Sequence, residues 1–393
     1  MKKTTFILLG IAAIVLLFIV WVYLLIYGTP AKVDEFFTDF SLFGGSENID
    51  VTPTTDTPPE TAPVVDVIKD KLRQLTTRPV IGFQEFKIGE PEVRFMSYAE
   101  AGTGHIYQIN LETGEETRLS NTTVPNAELA VFSPNGAYVV IRSGFGSGSD
   151  VILLELVPGG SGTIVPLTPP IVEFTFSDEN ELLYTETTRI GNEGKAMNLQ
   201  TKISRALFTV PFQAVTMIWS TSSTTPHYAY PKAAARLYGY LYAIKNGTIV
   251  RLPASGGGLV AEVNSKYAAY TKLEGTEPAS YLYDSTTQKT SPSPILIEPS
   301  KCVFSPLDLN TLYCGHELTT YSYDFPDDWY RGTRSFSDRI WQVDLGVKSA
   351  TQIVSPPQVA GRDIDLINMN IASDAKMLYF MNKNDNTLWL YEI

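Results

Sequence analysis

A hairpin pattern recurs along most of the chain, and it limits the fold more than any other feature of the sequence. In residues 131–140, Phe132 ends an apolar segment, Ser133-Pro134-Asn135-Gly136 has turn chemistry, and β-forming residues follow. The apolar residues that align with Phe132 are separated by 46, 44, 43, 44, 41 and 65 residues; they are Phe86, Phe132, Phe176, Trp219, Val263, Phe304 and Met369. Such regular spacing indicates a repeated structural unit.

Each unit has one order of parts: an inner strand, a tight turn, a second strand, a loop, a third strand, a turn and a fourth strand. Four strands in roughly 40–45 residues is the spacing of a propeller blade. We therefore predict an all-β chain folded as a seven-bladed β-propeller of four-stranded antiparallel blades. The units start near Val80, Val124, Ile171, Phe212, Gly258, Ser300 and Gly361.

The seventh unit contains only three predicted strands. Lys71-Leu72-Arg73-Gln74-Leu75-Thr76 has an outer-strand pattern but precedes the first unit. We expect residues 71–76 to complete the last blade and close the ring, which would hide the edges of an open ring.

The third strands and the segments after them strengthen this interpretation. His105-Ile106-Tyr107-Gln108-Ile109-Asn110-Leu111 is followed by Glu112-Thr113-Gly114 and by Thr117-Arg118-Leu119-Ser120, and similar strands recur in later units. Together with the Phe-Ser-Pro turns, this series resembles the WD40-like repeat of TolB-type propellers, from residue 71 to residue 393. The resemblance implies an interaction module of the cell envelope and does not fix its partner.

The amino terminus has the features of a membrane anchor. Lys2 and Lys3 precede an apolar run of 22 residues from Phe6 to Tyr27, which as a helix would be about 33 Å long. We predict an uncleaved signal anchor over residues 5–28, because Thr29-Pro30-Ala31 is a poor cleavage site. Residues 1–4 would lie in the cytoplasm, and the rest of this single-pass plasma-membrane protein would be extracytoplasmic.

Two segments separate the predicted anchor from the propeller, which we place at 67–393. In residues 29–43, Phe36, Phe37, Phe40 and Phe43 can share one helix face, as in a juxtamembrane amphipathic helix; a frayed end of the anchor is the alternative. Residues 44–66 are rich in Pro and Thr, which is typical of an extended stalk.

Several activities are not expected from this sequence. The net charge of −12 argues against a nucleic-acid partner. The Gly-rich stretch Arg142–Asp150 lacks the helix and lysine of a phosphate-binding loop, and we find no G-x-S-x-G motif. His105, His227 and His316 fall in separate units without paired spacing. We therefore assign no catalytic residue, metal site or cofactor.

The sixth unit carries an insertion from Gly315 to Asp338, on the side where propellers commonly bind ligands. Aromatic and arginine side chains in a protruding loop are the types that dominate binding hot spots. The predicted binding residues are Tyr321, Tyr323, Phe325, Asp327, Asp328, Trp329, Tyr330, Arg331 and Arg334. The alternative is that the loop packs over the channel or the neighbouring blade.

Cys302 and Cys314 are the two cysteines of the chain, and they flank one hairpin turn. They could face each other across adjacent strands and form a disulfide in an oxidising compartment, or remain as two buried thiols.

These features together predict a membrane-anchored binding module or scaffold, with an unidentified protein or an envelope polymer as its partner. The rival is a propeller enzyme that acts on carbohydrate with carboxylates at the channel mouth. A third possibility is a structural part of a larger assembly.

Overall fold

The structure is a computed structural model that describes residues 71–393 except 145–148, 158–161, 168–170, 223 and 318–323. The predicted cytoplasmic residues 1–4, anchor 5–28, juxtamembrane helix 29–43 and stalk 44–66 therefore lie outside the described residues. Within the described part of the chain, no helix combines the length and the apolar character that a bilayer crossing requires.

The described residues are almost entirely β-structure, which confirms the all-β prediction. All strand pairs are antiparallel, and most sheets have four strands, as expected.

We number the sheets in chain order. Sheet 1 contains β2 (Val80–Ile88), β3 (Val93–Glu100), β4 (Ile106–Asn110) and β5 (Glu116–Arg118). Sheet 2 contains β6 (Ala127–Phe132), β7 (Tyr138–Ser143), β8 (Asp150–Glu155) and β9 (Ile164–Leu167). Sheet 3 contains β10 (Ile171–Phe176), β11 (Glu181–Thr188), β12 (Gly191–Asn198) and β13 (Ser204–Val210).

Sheets 4 and 5 share a strand. Sheet 4 contains β14 (Val215–Ile218), β15 (His227–Pro231), β16 (Tyr238–Lys245) and the first part of β17 (Thr248–Val263), and sheet 5 contains the rest of β17 with β18 (Tyr267–Glu274), β19 (Glu277–Asp284) and β20 (Lys289–Pro292). Sheet 6 contains β21 (Cys302–Phe304), β22 (Thr311–His316), β23 (Arg339–Asp344) and β24 (Ser349–Val354). Sheet 7 contains β25 (Leu366–Ile371), β26 (Met377–Asn382), β27 (Thr387–Glu392) and β1 (Leu72–Gln74). Short helices α1 (Asp327–Tyr330) and α2 (Pro356–Val359) and a 3₁₀ turn (Pro299–Lys301) lie in loops.

The hairpin that defines the repeat forms as the sequence predicts. Phe132 pairs with Val139, and the Gly136 N–H donates to the Ser133 carbonyl at 2.9 Å. Gly136 has φ +69°, a conformation that glycine adopts without strain. The Ser133 hydroxyl accepts the Tyr138 N–H at 2.9 Å, so the side chains of the turn close it as well as the backbone.

The strand that precedes sheet 1 in the chain belongs to sheet 7. Leu72 pairs with Tyr391 and Gln74 pairs with Trp389, so β1 is the outer strand of the last sheet. The Leu388 N–H also donates to the Thr76 hydroxyl at 3.0 Å, just beyond the strand. The two ends of the described chain are thereby joined within one sheet.

The boundary between the fourth and fifth units differs from the prediction. We expected a fifth unit that starts anew near Gly258, but β17 runs without interruption from the outer edge of sheet 4 to the first strand of sheet 5. Register shifts between Tyr240 and Tyr242 and between Gly257 and Val260 redirect the strand. Gly258, at φ +59°, allows the bend that a loop makes elsewhere.

Apolar clusters lie at each junction between consecutive sheets of the described chain. One of them joins the last sheet to the first: Val80, Met96 and Tyr98 of sheet 1 pack against Tyr379 and Leu388 of sheet 7. The sheets therefore follow one another in a closed cycle, which we call the ring. The first strands of most successive sheets contact each other and surround the ring centre.

The ring has two faces, which the strand directions define. The entry face carries the loops between consecutive sheets and those between second and third strands. The opposite face carries the turns between first and second strands. The insertion of sheet 6 follows a second strand, so it belongs to the entry face.

Candidate binding surface at the ring mouth

The described part of the insertion is fixed across the entry face, and we call residues 324–338 the cap. Phe325, Trp329 and Phe336 form a small apolar cluster in which each is 2–3% exposed, with Ile367 of sheet 7 against it. Two predicted hot-spot aromatics, Phe325 and Trp329, therefore lie in a core and do not face solvent. The same aromatic composition suits a binding loop or a buried core, so the sequence alone did not separate the two.

A buried lysine anchors the cap. Lys301 Nζ lies 2.6 Å from Asp338 Oδ2 and 2.5 Å from Asp365 Oδ1, and its side chain is 2% exposed. Asp365 also accepts the Trp329 indole N–H at 2.9 Å and the Phe336 backbone N–H at 3.1 Å. One cation and two carboxylates thus hold the middle and the carboxyl-terminal end of the cap to the segments that precede sheets 6 and 7.

Aromatic rings enclose the lysine, and burial affects its partner. The Lys301 ammonium lies 4.4 Å from the centroid of Phe336 and 5.0 Å from that of Trp329. Burial raises the pKa of Asp338 to about 6, against the attraction of Lys301. An ion pair in such surroundings is costly to break from one side, because the remaining charge stays buried.

Further contacts tie the cap to loops of other sheets. Asp327 Oδ2 accepts the N–H of Ala235, in the loop between β15 and β16 of sheet 4, at 3.1 Å. On the other side, Lys383 Nζ donates to the Trp329 carbonyl at 2.7 Å, and Ser335 donates to Asn384 at 2.5 Å. The cap therefore bridges from sheet 4 to sheet 7 across the mouth of the ring.

Carboxyl groups with raised pKa values lie beside the cap, near the ring centre. Burial raises the pKa of Glu298 to about 7, that of Glu262 to about 8 and that of Glu173 to about 7. The charges of all three act on the buried Tyr230 hydroxyl, whose pKa is raised chiefly by burial. These groups come from sheets 3, 4 and 5 and from the loop before β21, so the ring gathers them from distant parts of the sequence.

Tyr330 connects the cap with this carboxyl cluster. Its side chain hydrogen-bonds Ser300, and the charges of Glu298 and Asp327 act on it. Burial raises the pKa of the Tyr330 hydroxyl, although the residue as a whole is 42% exposed. One end of the side chain thus points inward while part of the ring remains on the surface.

The remaining predicted binding residues have different environments. Arg331 is exposed, Asp327, Asp328 and Arg334 are half-buried, and Arg334 stacks 5.0 Å from the Phe336 ring centroid. Tyr321 and Tyr323 lie outside the described residues. Of the predicted binding residues that the structure describes, Tyr330 and Arg331 are therefore the exposed ones.

The three histidines do not meet, and no cluster of metal-ligating side chains forms among the described residues. His105 Nε2 lies 2.9 Å from the Thr123 hydroxyl, in the segments that flank β4 and β5. His316 is 8% exposed, and burial lowers its pKa to about 4. In the Gly-rich stretch, Arg142 pairs with Glu128 at 3.0 Å, while residues 145–148 lie outside the described part.

Cys302 and Cys314 are joined by a disulfide. They pair directly across β21 and β22, with their Cα atoms 4.1 Å apart. Cys302 follows Lys301 immediately, so the bridge fixes the strand that begins at the cap's anchor.

Comparison with known proteins adds evidence on the fold only. No family model matches the chain. No curated protein matches it either. Among solved structures, an oligogalacturonate lyase in complex with manganese has a TM-score of 0.53 and 12% identity over 82% of this chain and 93% of that one.

Two further solved structures have similar scores. The β-propeller domain of Cps50 (Swd1) from Myceliophteria thermophila has a TM-score of 0.50 and 12% identity over 79% of this chain and 100% of that one. Hydrazine synthase from Kuenenia stuttgartiensis has a TM-score of 0.50 and 13% identity over 81% of this chain and 97% of that one. These likenesses show the β-propeller fold, and at such low identity they show nothing of function.

Proposed function

We propose that this chain is a seven-bladed β-propeller that acts as a membrane-anchored binding module. Residues 5–28 would hold it in the plasma membrane with the amino terminus in the cytoplasm and the propeller on the extracytoplasmic side. The cap would bind another protein or an envelope polymer. The Cys302–Cys314 disulfide supports an oxidising location, because disulfides persist mainly outside the cytosol.

The fixed geometry of the cap is the observation that carries this proposal. The Lys301 network, the Asp327 contact with Ala235 and the Lys383 contact with Trp329 restrain it before any partner arrives. A preorganised surface loses less conformational entropy on binding than a free loop does. Tyr330 and Arg331 stand exposed on this support, and both residue types are enriched in hot spots.

Site-specific photo-crosslinking in producing cells tests the cap. A photoreactive residue at Arg331 should give a discrete crosslinked species, whereas the same residue at Arg118, an exposed position on β5, should give none. A photoreactive residue at Tyr330 should likewise give a discrete crosslinked species, and adding Arg331→Glu to that chain should weaken it. Identical products from positions 331 and 118 would reject the cap as the binding surface.

Fractionation tests the anchor separately. The full chain should remain with membranes after an alkaline carbonate wash, and a chain without residues 5–28 should not. Protease added to spheroplasts should degrade the propeller of the full chain. A washed-off full chain, or a propeller protected in intact spheroplasts, would contradict the proposed topology.

The carboxyl cluster favours a second candidate, an enzyme that acts on carbohydrate. Carboxyls with pKa values raised to about 7 and 8, as for Glu298 and Glu262, can exchange protons near neutral pH. If this candidate holds, oligosaccharides incubated with the full chain will be cleaved, and Glu298→Gln will reduce the rate at least about a hundredfold. An equal background rate in both proteins would exclude it.

A further inference from the structure

We propose that a pocket on the opposite face, between sheets 3 and 4, binds a neutral sugar ring. This site lies on the opposite face of the ring from the cap. It does not depend on the binding role proposed for the cap. It has a volume of about 190 Å³. Its walls are residues of the turn 177–180, residues 220–222 with Thr225, and the turn at 246–247, with side chains of β11, β13, β15 and β16 between them.

The floor of the pocket is apolar. Leu183, Leu207, Phe208 and Ile244 line it, and Phe208 packs on the His227 ring with their centroids 5.7 Å apart. A sugar ring has faces of C–H groups that pack on such a surface while its hydroxyls point outward.

The rim supplies hydrogen-bond donors and acceptors in fixed positions. Arg205 and Glu181 form an ion pair at 2.5 Å across the edge of sheet 3. His227 Nδ1 accepts the Ser220 N–H at 3.1 Å, so a neutral imidazole carries its proton on Nε2 and can donate from there. Burial lowers the pKa of His227, which favours that neutral form. Paired donors and acceptors of this kind match the hydroxyl groups of a sugar.

The charges of the lining indicate a ligand without net charge. Glu179 and Glu181 are balanced by Arg205 and Lys245. An acidic sugar or a phosphate would meet two carboxylates, and a cation would meet two basic groups. The neutral hydroxyls of Ser177, Ser220 and Thr225, which also line the pocket, do not change this balance.

The sequence departs from its repeat at this pocket. Eight residues along the chain, of which 223 lies outside the described ones, separate β14 from β15, whereas three to six separate the first two strands of the other described sheets. Between β14 and β15, Ser220-Thr221-Ser222 replaces the Ser-Pro of other units, and these hydroxyl residues line the pocket. A turn that only reverses the chain does not require this extra length.

Binding of methyl glycosides to the full chain in detergent tests the proposal. The probes are the methyl glycosides of glucose, galactose, mannose and N-acetylglucosamine. Their binding is measured by calorimetry and by saturation-transfer NMR. At least one should bind the native chain, and Arg205→Ala should weaken that binding about tenfold, as expected for loss of a charged hydrogen-bond donor. Arg118→Ala is the matched control and should bind as the native chain does.

Arg205 has a side chain that is 56% exposed, so its removal should leave the fold intact, and thermal unfolding of the variant will verify this. As a second variant, Thr225→Trp should fill the mouth and abolish binding. The proposal fails if none of the four probes binds, or if Arg205→Ala and Thr225→Trp bind like the native chain. It also fails if only acidic sugars or only peptides bind at this pocket.

Discussion

The Lys301 ammonium and the Asp338 carboxylate form a buried ion pair at 2.6 Å, and this pair joins the start of sheet 6 to the end of the cap. Neither side chain is more than 2% exposed. Lys301 also meets Asp365, so the lysine is the shared cation of two carboxylates that come from different loops. One lysine side chain therefore links the end of the cap to two sheets, beside the contacts that Asp327 and Lys383 make.

We expect Lys301→Met to destabilise the protein by about 3–5 kcal/mol, because it leaves Asp338 and Asp365 buried without their cation. Urea unfolding followed by fluorescence measures the change. Lys289→Met, at an exposed position of β20, should change stability by less than about 0.5 kcal/mol. A similar small effect from both substitutions would show that the network does not hold the cap.

We expect thermal stability to decrease as the pH rises from 5 to 9. Glu173, Glu262 and Glu298 have folded-state pKa values of about 7, 8 and 7, above the ordinary value, so the folded protein holds their protons more tightly than the unfolded chain. Their stabilising contribution is complete below the ordinary carboxyl pKa and is lost as the pH rises through 7 and 8. The loss should be on the order of a few kcal/mol.

Calorimetric scans across this pH range measure the decrease. Glu262→Gln removes the group with the highest of these pKa values, so its profile should be flatter between pH 7 and 9 than that of the native chain. Glu277→Gln, at an exposed position of β19, should leave the profile unchanged. A native profile that rises from pH 5 to 9 would contradict the environments assigned to these carboxyls.

Removal of the disulfide should also lower stability. Cys302 and Cys314 are 12 residues apart in sequence, and closing a loop of this size stabilises by about 3 kcal/mol through the unfolded state. The double variant Cys302→Ser with Cys314→Ser should therefore unfold at lower urea concentration. Thiol labelling of the unsubstituted chain, after it has been unfolded, supplies the control. Rapid labelling of both cysteines without reductant would show that the bond is not formed.

Gly82→Ala should be strongly destabilising, because β2 and β6 approach each other closely at this residue. A Cβ atom on Gly82 would lie 1.9 Å from the Ala130 carbonyl oxygen, which is backbone and cannot rotate away. We expect a loss of at least about 2 kcal/mol, measured by urea unfolding. Gly257→Ala is the matched control, since its Cβ would have only ordinary contacts, the nearest at 3.6 Å. Equal stability of the two variants would contradict the close packing of the first strands.

Local patterns predicted the parts of the fold that local chemistry determines. The Ser133–Gly136 turn follows from turn residues, which a sequence displays directly. The pairing of residues 72–74 with the last sheet was predicted from the repeat, because the seventh unit lacked a strand and residues 71–76 had an outer-strand pattern. The continuous β17 was not predicted, because Gly256-Gly257-Gly258 reads as a loop. In the structure, β17 continues through them, and the positive φ of Gly258 allows one strand to serve two sheets.

The candidate site was less accessible to sequence reasoning. The insertion was identified as a departure from the repeat, but aromatic residues are expected both in a binding loop and in a buried core, so the sequence did not show that Phe325 and Trp329 are buried. Lys301 lies 37 residues from Asp338 and 64 from Asp365, so only the folded ring brings them together. A lysine placed directly before an apolar strand was the one available signal. The carboxyls around Tyr230 likewise come from different sheets, and no spacing in the sequence relates them.

The pairing of β1 with β27 has a mechanical consequence. A force applied to the chain before Lys71 would act first on β1, whose strand partner is β27 of the last sheet and not a strand of the first. Sheet 7 also carries Asp365 and Lys383, which hold the cap. If the proposed anchor holds the chain, tension would therefore be borne by the same sheet that supports the cap, and load on the chain and occupancy of the ring mouth would act on one structural element.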